Sequence, residues 1–161
     1  MKIKFMLDYT ESPFWAIDEE AKSKFGYNID LENLELSKNS KIRLGSIMKL
    51  FHQRLNPVYQ MFPSLWSGRM NVFFQMFIKQ VYSEIEHELV NKYELINGES
   101  DLMNEEINVE QIDKDLAEFL KDPSKYADKK GITYNSKEAL NKEIQIAYED
   151  WEKIEFKWTT I

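Results

Sequence analysis

The chain of 161 residues contains no cysteine. That removes disulfides, a thiolate nucleophile and any cysteine-held zinc. Histidine occurs only as His52 and His87, which starves imidazole catalysis and multi-histidine metal sites alike. The five glycines nowhere form a phosphate-cradling loop, and no G-x-S-x-G elbow is present. No apolar run approaches the roughly 18 residues that a membrane-spanning helix needs. The apolar part of "MKIKFMLDYT" is too short for a signal-peptide core and is interrupted by Asp8. The expected compartment is therefore the cytoplasm.

Hydrophobic residues make up 43% of the chain and aromatics 14%, enough for a substantial core. The charge is uneven along the chain. Residues 1–98 carry 12 bases and 12 acids, while residues 99–161 carry 9 bases and 16 acids, the whole net charge of −7. This sign disfavours nucleic acid, whose phosphates demand a basic footprint. It suits a basic protein partner, and equally it serves solubility.

The segment "KIKFMLDY" alternates, with Ile3, Phe5 and Leu7 on one side, and predicts a half-buried strand ended by Pro13. Phe14 and Trp15 are expected to fold back under the first helix. Leu44, Ile47, Met48, Phe51 and Leu55 follow a helical period, with Ser37 or Ser40 as cap and Asn56-Pro57 as the stop. Gly45, inside that helix, calls for a close neighbour. "NPVYQMFPSLWSG" is an apolar linker, either packed on the core or partly an exposed binding patch. The stripe Met70, Phe73, Phe74, Phe77, Ile78, Val81, Ile85 and Leu89 predicts the central helix. "YELING" predicts a short strand and a turn. Residues 99–108 look like an acidic linker. Asn108 and Gln111 predict a capped helix ended by Pro123, and Ser136 caps the last one. "IEFKW" alternates and suggests a further strand.

Two stretches imitate metal motifs. Glu84-x-x-His87 has the di-iron spacing, but its required second copy would be Lys49-x-x-His52, with a cation in place of a ligand. His87-Glu88-x-x-Asn91 puts an amide where a zinc site needs its second imidazole. A polar helix face, with Glu88 pairing Lys92, is the expected role. The 28 acids permit some catalytic carboxylate pair, but no spacing selects one. No cofactor, no metal and no catalysis are expected.

One motif leads further. An apolar strand ends in Asp8-Tyr9. A Ser12-Pro13-Phe14-Trp15 turn follows, then a leucine-spaced segment (Leu31, Leu34, Leu36) and a helix capped by Ser37. Over residues 1 to about 98 this resembles immunity proteins of bacterial polymorphic toxin systems, including contact-dependent growth inhibition. The acidic helices after residue 99 have no counterpart in that pattern. The resemblance implies a cytoplasmic protein that binds and neutralises a cognate toxin C-terminal domain. Many such toxins are nucleases and hence basic.

The expected fold is α+β and mainly helical, with a small antiparallel sheet of the first strand and "YELIN" packed against amphipathic helices. Residues 1–98 form the core domain, and residues 99–161 form an acidic helical extension packed on it. Three candidate partner-binding groups stand side by side: Asp18, Glu19 and Glu20 on a loop; Glu105, Glu106, Glu110 and Asp113; and Trp66, since interface hot spots favour Trp. The alternative to toxin neutralisation is a non-enzymatic adaptor or a homo-oligomer built through residues 57–67.

Overall fold

The structure, a computed structural model, describes residues 1–160 and is α+β, mainly helical. The backbone groups into two compact units. One holds Met1–His52 and Phe74–Glu106; the other holds Gln53–Phe73 and the chain from Ile107 onward. They are called here the sheet unit and the helical unit.

The sheet unit contains strands β1 (Lys2–Phe5), β2 (Phe14–Ala16) and β3 (Glu94–Asn97) in the order β2-β1-β3. In β1 the period of two is realised: Ile3 and Phe5 are fully buried, while Lys2 and Lys4 are half-exposed. The sheet is mixed, not antiparallel as the sequence suggested. β1 and β3 run parallel, with Ile3 opposite Leu95, and only β2 is antiparallel to β1. The chain leaves β1 and returns to β3 through a long helical passage, which is the kind of connection that parallel pairing requires.

Phe14 and Trp15 lie on β2, where Phe14 is wholly buried and Trp15 half-buried. Pro13 opens this strand, where its missing N–H costs nothing, and its carbonyl accepts from the Met6 amide at 2.8 Å. The Phe14 ring meets Phe5 edge-on at 5.7 Å, and Trp15 Nε1 donates to the Met6 carbonyl at 3.1 Å.

Helix α1 (Glu19–Phe25) follows, then a 3₁₀ turn at Leu31–Asn33 and α2 (Lys38–Gln53). Ser37 caps α2, its hydroxyl accepting from the Ser40 amide at 3.1 Å, and Leu44, Ile47, Met48 and Leu50 are buried. α3 (Gly68–Leu89) gives its first six residues to the helical unit and the rest to the sheet unit. In the sheet unit Phe74, Ile78, Val81, Ile85 and Leu89 are buried at helical spacing. Burying those five side chains is worth on the order of 8–15 kcal/mol before entropy, at about 1.5–3 kcal/mol each. The expected 99–108 linker contains a short helix, α4 (Ser100–Asn104), whose Met103 is buried.

The helical unit contains α5 (Val109–Lys121), α6 (Pro123–Lys130) and α7 (Lys137–Thr159). Asn108 caps α5 by accepting from the Gln111 amide at 3.1 Å, as its spacing foretold. Pro123 both stops α5 and opens α6, sitting at a first-turn position where proline is pre-organised. Gly131, with φ of 68°, closes α6 in the left-handed conformation.

α7 continues through "IEFKW", so the strand expected there is absent. Ile154 and Trp158 extend the helical stripe of Leu140, Ile144 and Trp151, while Phe156 is 67% exposed. Ile154 and Trp158, four positions apart, fit the strand period and the helical period alike, whereas Phe156 fits only the former. At the start of α3, a Cβ on Gly68 would lie 2.6 Å from the Val109 Cα, so α5 approaches closer than any other side chain permits.

Candidate partner-binding surface

The candidate acids separate by what holds them. Asp18 is the N-cap of α1: its carboxylate accepts from the Ala21 amide at 2.9 Å and the Lys2 amide at 2.8 Å. The Ala21 bond, helped by Lys2, holds its carboxyl below the ordinary aspartate range. Glu19 and Glu20 form the first turn of α1, not a loop, and there they complement the helix dipole. Glu19 pairs with Lys22 at 3.0 Å, and Glu20 faces the Met1 amino group at 3.5 Å. This group is thus largely consumed by local structure.

Trp66 is only 1% exposed and stacks on Trp151 at 5.7 Å, in the core of the helical unit. That burial corrects the expectation of an exposed hot-spot tryptophan. The apolar linker packs inward through Phe62, Leu65 and Trp66, and leaves Tyr59 and Met61 exposed. Asp113 accepts the Gly68 amide at 2.8 Å and so fixes the α3 start against α5. Glu110 is exposed in the first turn of α5.

Glu105 and Glu106 are different. Both are exposed just after α4, and neither carboxylate has an ion pair or hydrogen bond among the described residues. The segment is nevertheless anchored, because Gln75 Nε2 donates to the carbonyls of Leu102 at 2.9 Å and Glu105 at 2.7 Å. Asp101, which the sequence did not single out, is exposed and likewise without a partner among the described residues. Its signal was present in the acidic run, hidden by reading the run as a linker.

The units sharpen this contrast. The sheet unit carries 10 bases and 16 acids, net −6, and the helical unit 11 bases and 12 acids, net −1. The excess that chain order assigns to residues 99–161 therefore sits mostly on the sheet unit once the chain is folded. Glu32, Glu35, Glu84 and Glu94 there are offset by Lys41, Lys92, Arg43 and Lys2. The Lys92–Glu35 pair, at 2.6 Å, replaces the expected Lys92–Glu88 pair.

Glu88 serves the α2 cap. It accepts from the Ser37 amide at 2.7 Å, from the Ser37 hydroxyl at 3.0 Å and from Ser40 Oγ. Burial alone would raise its pKa, but the bonds from Ser40 and Ser37 outweigh that and lower it. The two residues that imitated a metal motif, Glu84 and Glu88, therefore tie α3 to α2 through Arg43 and the serines.

A family model, Serratia CdiI immunity protein-like, matches residues 1–99. The chain belongs to that family. The match takes in all three strands and ends before α4. No curated protein and no solved structure matches the chain. The family's description implies an immunity protein, whose task is to bind and neutralise a cognate toxin. Among the described residues, no helix is long and apolar enough to cross a membrane.

Proposed function

We propose that this CdiI-like chain binds the C-terminal domain of a cognate toxin in the cytoplasm and blocks it by occlusion, without catalysis. Membership of the immunity family over residues 1–99 carries this reading. The toxin domain is basic, with a nuclease as the favoured class. The net charge of −6 on the sheet unit supports that choice, since opposite fields accelerate encounter. Within that unit, Asp101, Glu105 and Glu106 are the steering group: their charges are exposed and locally unopposed, whereas Asp18, Glu19 and Glu20 are engaged in capping and pairing. Glu110 is a secondary contributor.

The test is co-purification with the toxin domain encoded by the neighbouring gene, followed by calorimetry. A stoichiometric complex of nanomolar or tighter affinity, about 12 kcal/mol, is expected. A folded chain that leaves the toxin domain unbound would refute the reading. A second reading, a homo-oligomer or adaptor working through residues 57–67, is favoured only by the exposed Tyr59 and Met61. A mass that rises with concentration, together with no toxin binding, would select it.

A further inference from the structure

The helical unit holds a cleft of about 600 Å³ between the 54–67 loop, α5 and α6. That size falls in the range of small-molecule sites, which are typically apolar with a few placed polar groups. Its apolar lining comes from Trp66, Ile112, Leu116, Phe119 and Tyr126. Phe119 and Tyr126 meet edge-on at 5.5 Å, which gives the wall a fixed aromatic corner.

Three cations also line the cleft: Arg54, Lys125 and Lys129. None of these side chains has an ion pair or hydrogen bond among the described residues, although Arg54 is half-buried. A partly desolvated guanidinium normally finds an anion, because lost hydration must be replaced. The acids of the cleft do not supply one. Asp122 caps α6 and bonds Ser124 Oγ at 2.6 Å and faces Lys137 at 3.7 Å, and Asp115 accepts from Gln111 at 2.8 Å. Among the described residues, Glu118 is the one cleft acid left unengaged, so unpartnered cations there outnumber unpartnered anions three to one.

We infer that this cleft is a binding site for a small organic anion with an aromatic body: the ring lies against Ile112 and Tyr126, with the edge of Phe119 behind them, and the anionic head meets Arg54, with Lys125 and Lys129 at the mouth. Guanidinium geometry suits a carboxylate or phosphate head in bidentate contact. The site belongs to the helical unit alone and does not depend on toxin binding.

The test uses indole-3-acetate as probe and tryptamine, its cationic counterpart, as control, each titrated into the full chain and followed by amide shifts. Indole-3-acetate should bind saturably at one site, shift amides within residues 112–129, and bind at least about tenfold tighter than tryptamine. Arg54→Gln should weaken it by about five- to tenfold, the scale of a charged hydrogen bond. Glu118→Gln, at an exposed position, should tighten it by about twofold through removal of the opposing charge. Lys125→Gln, also exposed, should weaken it. Equal binding of the two probes, shifts outside the cleft, no saturable binding, or affinity unchanged in Arg54→Gln and Lys125→Gln would each overturn the proposal.

Discussion

The sheet unit and the helical unit use charge in opposite ways. In the sheet unit five of the ten Lys and Arg side chains are spent on carboxylates, through Lys2–Glu94, Lys22–Glu19, Lys41–Glu32, Arg43–Glu84 and Lys92–Glu35, and exposed acids without a partner among the described residues remain at 101–106. In the helical unit acids and bases nearly balance, yet Arg54, Lys125 and Lys129 stand around a cleft without partners among the described residues. Net charge therefore says little about where recognition occurs. What matters is which charges local structure has already engaged.

The units also differ in how their helices use glycine. Gly45, in α2 of the sheet unit, is exposed, and a Cβ there would meet nothing within 4 Å. Gly68, opening α3 in the helical unit, is buried against the Val109 backbone. The sequence placed the need for a close neighbour at the first glycine, and the structure places it at the second. Propensity exposes a glycine's cost, but only tertiary packing shows whether anything is gained for it.

The contrast can be broken in order of effect. Phe5→Ala should cost about 3–5 kcal/mol, since its ring is wholly buried against Phe14 and Tyr82, and urea unfolding will read it. Gly68→Ala should destabilise by roughly 1–3 kcal/mol through overpacking against α5, as a lowered denaturation midpoint. Glu88→Gln should cost about 1–2 kcal/mol by weakening the α2 cap. The lowered folded pKa of Glu88 sets the sign of its pH effect. Its contribution is complete above the ordinary glutamate value and is lost as pH falls through the folded value. Wild type should therefore lose more stability than Glu88→Gln on acidification through that window. Gly45→Ala should do the reverse of Gly68→Ala and stabilise by about 0.5–1 kcal/mol. Equal signs at the two glycines would contradict the packing described for α3 and α5.

Much of the fold was legible in short-range pattern. The alternation of Ile3 and Phe5, the caps at Ser37, Asn108 and Ser136, and the stripe of α3 all announce themselves within one element. The direction of β3 was not legible, because parallel pairing depends on the whole path between Phe5 and Glu94. Helix α1 was hidden by its acids: Asp18-Glu19-Glu20 reads as a displayed patch, yet that order is also a cap followed by a dipole-matched first turn. Trp66 was misplaced because its partner, Trp151, lies 85 positions away in sequence. The cleft cations were invisible for the same reason, since Arg54 meets α5 and α6 only in space.

The most direct test is the association rate of the cognate toxin domain with wild type and with Asp101→Lys/Glu105→Lys/Glu106→Lys, measured by stopped flow across a range of salt. Steering by these acids predicts an association about tenfold slower for the variant at low salt, with a flatter salt dependence. An association rate equal to wild type at every salt concentration would contradict it.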